Sequence, residues 1–368
     1  MAGFPFMRQA EAFRSSLPFI LLLAVFILPC PMSAAAKPRP AIAFVHLLLP
    51  PGGEPHASPT GWIGSLDRAR DTLESLRIPT IVSSASPGNA EDLNELSEMD
   101  PEVLITTSPL LYAAACDVAK RSPNTVFFAC TDETVHDNMS GFQARTYEAH
   151  YLAGLIAGAL SEDGVIGYLA NDPYQSKASR LRNANAFTLG AQKSKAAIRV
   201  LYAPGNDPDE ELKTLIAAGA DIVDLERALP SLVERLREHS VPYVGTAGRT
   251  VDPLCLAAPE WEWSNAFGDL LTQVRFGIWR PRNVSYGIKE GVVGLSPFGP
   301  AVPETVRVRV REAKEAIRNG ASPFEGPVRD VSGSLRIAEG SVPDDATLRG
   351  MDWRVQGLEP LPLTPDGL

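Results

Sequence analysis

Cysteine, histidine and positive charge are all scarce in this sequence. Its 368 residues include four cysteines and five histidines, and Cys30, Cys116, Cys130 and Cys255 lie far apart, with no Cys-x-x-Cys or Cys/His spacing that would hold zinc. Basic residues number 34 against 44 acidic ones, a net charge of −10, which is the wrong sign for a nucleic-acid partner. No Gly-x-Ser-x-Gly elbow or Walker loop is present, and no spacing among the many carboxylates singles out a catalytic pair. The sequence therefore offers no grounds for an enzyme, a metal or a cofactor. What it does contain is ordinary for a globular protein: 45% hydrophobic and 21% charged residues, in a chain long enough for two domains.

The first residues differ from the rest. Arg8 and Arg14 precede an apolar run at 17–28, and Ser33-Ala34-Ala35-Ala36 follows it. A run this short, basic in front and rich in small residues behind, reads as a signal peptide rather than a membrane span. Cleavage after Ala36 gives an exported, periplasmic protein with a signal peptide at 1–36. The alternative is a lipid anchor on Cys30, against which Pro29 stands where a small residue is expected. Export permits a disulfide between two of Cys116, Cys130 and Cys255; buried free thiols are the other reading.

From 41 onward, apolar runs of strand length alternate with amphipathic stretches. Strands are expected at 41–49, 79–83, 103–107, 125–130 and 141–144, with helices at 63–76, 90–99 and 109–120. In 141–190, Ala149, Ala153, Gly154, Ala157 and Gly158 recur at helical spacing, so another backbone can approach that helix closely. The apolar run 165–170 then suits a strand covered on both faces. Strands at 198–202, 221–225 and 242–246 and helices at 209–218 and 229–238 repeat the alternation, which implies two Rossmann-like lobes. Beyond 260 the alternation breaks: 261–279 reads as one long helix, 287–295 as strand and 302–318 as a charged helix.

These residues carry a resemblance. Gly61-Trp62, Thr106-Thr107-Ser108, Arg145-Thr-Tyr-Glu148, Tyr151-Leu-Ala-Gly154, Asn185-Ala-Phe-Thr-Leu-Gly190 and Asp207-Pro208 occur in order. Trp261-x-Trp263, Gly287-x-Lys289-x-Gly291, Pro297-Phe298, Pro323-Phe324-x-Gly326-Pro327 and Met351-Asp352-Trp353 follow. Together they resemble the basic membrane protein family of bacterial substrate-binding proteins, the purine-nucleoside-receptor type that serves ABC importers. The resemblance implies a type I periplasmic-binding fold of two α/β lobes joined by three crossings. It places the first lobe at 41–145 plus 256–286 and the second at 146–255 plus 287–368. It also implies a purine, nucleoside or related heteroaromatic ligand in the interlobe cleft, and an ABC permease in the inner membrane as partner.

Six positions are the candidate ligand contacts. Trp62 matches a cleft aromatic and would stack on a base; Thr107 and Ser108 end a strand with hydroxyls; Asn185 carries an amide that can present both a donor and an acceptor to a purine edge; Trp261 follows the second crossing; Lys289 could reach a ligand oxygen or ring nitrogen. Arg145 and Glu148 are expected as a structural ion pair near the hinge. Departures from the family pattern gather on the second lobe: Gly205-Asn206 where relatives carry an aromatic, Glu226-Arg227-Ala228 in place of a His-Thr-Asp-like strand end, and Thr246-Ala247-Gly248-Arg249 where an acidic residue is usual. They leave open a second reading, a ligand-sensing or interaction protein that keeps the fold with an altered site, in which Arg227 and Arg249 face a more acidic ligand.

Overall fold

The computed structural model describes residues 39–48, 61–131, 136–172, 175–245 and 252–362. The expected signal peptide, Cys30, the proline-rich stretch 50–60 and Arg249 lie outside them.

The first lobe is built from β1 (Ile42–Leu47), α1 (Gly61–Ser75), β2 (Thr80–Ala85), α2 (Ala90–Ser97), β3 (Val103–Thr106), α3 (Tyr112–Ala119), β4 (Val126–Cys130) and β5 (Met139–Ala144). The chain then forms α4 (Thr146–Leu160), β6 (Val165–Leu169), α5 (Lys177–Ser194), β7 (Arg199–Ala203), α6 (Pro208–Ala217), β8 (Ile222–Leu225), α7 (Pro230–Glu238), β9 (Tyr243–Gly245) and β10 (Cys255–Ala257). Next come β11 (Pro259–Trp261), α8 (Ser264–Arg275), β12 (Val284–Tyr286), β13 (Val293–Leu295) and α9 (Glu304–Arg318). The final elements are β14 (Val328–Arg329), β15 (Leu335–Ile337), α10 (Asp345–Arg349) and β16 (Leu358–Pro360).

Two six-stranded parallel sheets result, ordered β12-β5-β4-β3-β1-β2 and β10-β9-β8-β6-β7-β16. β1 shows why its residues, His46 apart, are apolar. Ile42 and Phe44 join one core cluster while Ala43, Val45 and Leu47 join another, because helices cover both faces of a parallel sheet. The chain passes between the sheets three times: from β5 into α4, from β10 through β11 into α8, and from β12 toward α9. Each crossing leaves the carboxyl end of a strand, so the carboxyl edges of the two sheets face each other across a cleft. This is the type I periplasmic-binding arrangement.

The small residues of α4 do what their spacing suggested. A Cβ on Gly154 would run into the Phe187 carbonyl oxygen, and one on Gly190 into that of Tyr151, so α4 and α5 pack backbone to backbone. α9 lies against α4 by a stripe of Val306, Val310 and Ile317, the spacing of one helical face.

Two expectations are corrected. The stretch 261–279 is not one helix: Pro259, Glu260 and Trp261 pair antiparallel with Leu295, Gly294 and Val293. α8 begins only at Ser264, whose N–H is accepted by the Glu262 carboxylate at 3.0 Å. It stops where Gly277 takes φ +66°, a conformation glycine adopts without strain. Likewise 287–295 is not one strand, because a turn at Ile288–Gly291 separates β12 from β13. Cys116, Cys130 and Cys255 form no disulfide with one another.

Candidate functional site

On the first lobe the cleft edge is held by β1 and β3. Thr107 is buried, and its hydroxyl donates to Val45 O at 3.1 Å while lying 3.1 Å from His46 Nδ1. His46 Nε2 in turn faces Asp67 at 3.3 Å. Ser108 turns its hydroxyl back to accept the Leu110 N–H at 3.3 Å, capping a short 3₁₀ turn.

Trp62 stands at the start of α1 and donates its indole N–H to Thr107 O at 2.8 Å. One ring face lies near-parallel to Phe142, with centroids 6.3 Å apart at 15°. Trp261 and Trp263 approach edge-on at 5.9 and 5.2 Å. Phe142 and Trp263 are fully buried, whereas Trp62 and Trp261 are only half-buried. The two half-buried indoles are thus the outer members of an aromatic cluster whose interior is lobe core. Trp261 also ties two crossings together, donating its N–H to Thr146 Oγ1 at 3.3 Å.

The second lobe's edge is polar. The Asn171 side chain spans to β8 like a strand partner, donating to Arg227 O and accepting Arg227 N–H, each at 2.8 Å. Arg180 donates to Ala170 O and Pro204 O at 3.0 and 2.8 Å, joining the ends of β6 and β7. Glu226 is buried and turned inward. It accepts from Tyr168 Oη at 3.0 Å and from Asn183 Nδ2 and the Asp172 N–H at 3.4 Å. Beneath it His150 Nδ1 lies 3.4 Å from the fully buried Asp224 carboxylate. Burial pushes Glu226 up to about 7, with His150 pulling the other way. Burial acts against charge on His150 too, but Asp224 and Glu226 outweigh it and raise its pKa above the ordinary value.

The crossings are linked by Arg145 and Glu148, whose side chains pair with other groups rather than as the expected ion pair. Arg145 forks onto Asp345 at 2.8 and 3.0 Å and reaches Glu290 at 3.4 Å, while its backbone N–H bonds Tyr286 O at 2.7 Å. Glu148 accepts the Ile288 N–H at 2.6 Å, and burial pushes its pKa up to about 7.

Of the six candidate contacts, Trp62, Thr107, Ser108 and Trp261 come together at the first lobe's edge. Lys289 is exposed at the third crossing. Asn185 goes elsewhere. It is fully buried in α5, donating to Trp353 O at 2.8 Å and Met351 Sδ at 2.9 Å and accepting the Val355 N–H at 2.9 Å. Its amide is occupied by the 351–355 segment, and no edge is left for a purine. His46, Asn171 and Arg180 were not singled out by sequence reasoning; a lone histidine in an apolar strand gives no signal of the threonine it will meet.

Comparison with known proteins agrees with this architecture. Residues 66–217 match the Bmp family, described as ABC transporter substrate-binding protein PnrA-like. The chain is 28% identical over 344 residues to a purine-binding protein of Brucella abortus (strain 2308), covering 89% of this chain and 95% of that one. It is also 28% identical over 307 residues to a putative ABC transporter glucose-binding protein of Haloferax volcanii, covering 77% and 78%. Among solved structures, a solute-binding protein of an ABC transporter system from Conexibacter woesei superposes with a TM-score of 0.61 at 17% identity, over 76% of this chain and 97% of that one. Across both lobes the chain is thus similar to substrate-binding proteins of ABC transporters, with the match to the Bmp family confined to residues 66–217.

Proposed function

We propose that this protein captures a purine, nucleoside or related heteroaromatic solute between its lobes and presents it to an ABC permease. The observation that carries this reading is the half-buried Trp62, anchored through its N–H to Thr107 O at 2.8 Å. An indole fixed by its edge and backed by Phe142 is a rigid platform, and stacking a flat base on it costs little ordering entropy. Trp261 extends the apolar side. Ser108 and Lys289 supply polar contacts, and the second lobe supplies Asn171, Asp172 and Arg227. Closure joins a lobe at 41–145 plus 256–286 to one at 146–255 plus 287–368, moving about the crossings at Arg145, Ala258 and Gly287.

The Brucella relative is named for purine binding and the Haloferax relative for glucose, so the test is a direct contest. Protein purified under native conditions is extracted and any retained solute identified by mass spectrometry. Unliganded protein is then melted with purine bases, nucleosides and glucose. A ligand specific to the folded state raises the melting temperature with concentration. A shift with glucose and none with any heteroaromatic compound overturns the reading.

One observation favours a second reading, a sensing or interaction protein with an altered site. Glu226, in place of the family's usual strand end, points into the lobe rather than the cleft. A protein that retains no solute and is stabilised by none of these compounds, but that is recovered with a membrane protein other than a permease, fits that reading.

A further inference from the structure

α8 ends in a locked turn. Gly277 N–H bonds Val274 O and Ile278 N–H bonds Gln273 O, both at 3.0 Å, with Gly277 at φ +66°. In this cap the residue after the glycine normally lays an apolar side chain on the third residue from the helix end. Here that residue is Gln273, and Ile278 remains 63% exposed beside Phe276 at 75%. Arg280 closes the loop by donating to Gly277 O and Trp279 O at 3.0 and 2.6 Å, and Trp279 packs on the core. Two apolar side chains are therefore held outward by fixed backbone.

The segment between Asp269 and Glu290 is itself basic. From 270 to 289 the sequence holds Arg275, Arg280, Arg282 and Lys289 and no acid. Arg275 is paired with Glu102 at 2.7 Å, while Arg280 and Arg282 are exposed. This tip lies at the amino ends of the first lobe's strands, away from the cleft. Exposed Leu76 and Arg77 end α1 at the same end. β1 also starts there, just after Arg39, whose guanidinium bonds Asp100, and the sequence before it reads Lys37-Pro38-Arg39-Pro40.

We propose that this face docks on an anionic lipid bilayer, with Phe276 and Ile278 entering the headgroup boundary and Arg280 and Arg282 meeting the acidic headgroups. Apolar side chains flanked by arginine suit that interface, and the locked turn means little flexibility is lost on binding. A second copy of the chain fits poorly. A two-fold contact would set Arg280 and Arg282 against their own counterparts, whereas a negative surface complements them. The proposal requires the exported location of the family and is independent of the ligand.

Arg39–Leu368 forms one compact unit, so a chain beginning at Lys37 can be tested without the apolar run at 17–28. It is floated with vesicles of phosphatidylcholine alone or mixed with phosphatidylglycerol. Flotation with the mixed vesicles only, weakened by added salt, is expected. The double variant F276S/I278S and the charge reversal R282E should each lower the bound fraction about tenfold at an unchanged melting temperature. Equal flotation of either variant and the parent overturns the proposal, as does a parent that fails to float. Concentration-dependent dimerisation of the parent, lost in F276S/I278S and without flotation, overturns it in favour of a homodimer surface.

Discussion

Glu148 on α4 accepts the backbone N–H of Ile288 at 2.6 Å, binding the first interlobe crossing to the third. Gly287 makes this approach possible, because a Cβ there would collide with the Glu148 carboxylate. A side chain 140 residues away in sequence thus fixes the backbone of the third crossing.

Glu148→Ala strands the Ile288 N–H in a buried site, which costs about 1–3 kcal/mol. Glu148→Gln retains an acceptor and should lose less. Denaturant unfolding of both variants measures the difference; equal losses would show that the hydrogen bond is not what holds the crossing.

Acidity should stabilise this protein. Glu148 and Glu226 both have folded pKa values pushed up to about 7 from 4.5 by burial. Between those values the folded state binds more protons than the unfolded one, so stability falls as pH rises from about 4.5 to about 7. His150, raised above 6.5, adds a loss in the same direction at higher pH. Melting temperatures across pH 4.5–8 should decline, and a Glu148→Gln/Glu226→Gln double variant should flatten the slope. A slope unchanged in the double variant refutes the assignment.

Trp62→Ala should weaken heteroaromatic binding by about 1–3 kcal/mol, the range for a base stacked on an aromatic side chain. Trp62→Phe keeps a stacking face but loses the bond to Thr107 O, and so separates platform from anchor. Calorimetric titration of the identified solute reads both; unchanged affinity in Trp62→Ala removes this residue from the site.

Asn185→Ala should destabilise the fold by about 1–3 kcal/mol, because the Val355 N–H and Trp353 O lose their buried partner. Solute affinity of the folded protein should not change. A variant of undiminished stability but reduced affinity would return Asn185 to the cleft.

Gly190→Ala sets a methyl group against the Tyr151 carbonyl oxygen. Overpacking of this kind costs about 1–3 kcal/mol or more, and here the obstacle is backbone and cannot rotate away. A melting temperature within error of the parent would show that α4 and α5 can slide apart.

The alternation of apolar runs and amphipathic stretches was sufficient to give β1 to β9, since burial on both faces keeps β1, β3 and β6 mostly apolar, but not the short strands β10, β12 and β16 that complete the two sheets. The small residues of α4 likewise announced a close helix contact before its partner was known. Trp62 and Thr107 could each be picked out, but not the hydrogen bond between them, because nothing local relates residues 45 positions apart.

Where the sequence misled, the deciding partner was distant. The apolar periodicity of 261–279 is compatible with helix, yet Trp261 pairs with Val293 and becomes strand. Asn185 has an amide suited to a ligand edge, but the returning 351–355 segment fills it. His150, Asp224 and Glu226 look unremarkable in their own segments and become one buried polar group only when α4 is laid over β6 and β8. The sequence by itself determined the alternation of strand and helix from 41 to 246 and that the two lobes share one pattern, since periodicity is a property of neighbours along the chain. Which polar groups are buried, paired or left at the cleft edge was decided only by tertiary structure, because desolvation and hydrogen bonding depend on which distant groups are brought within about 3 Å.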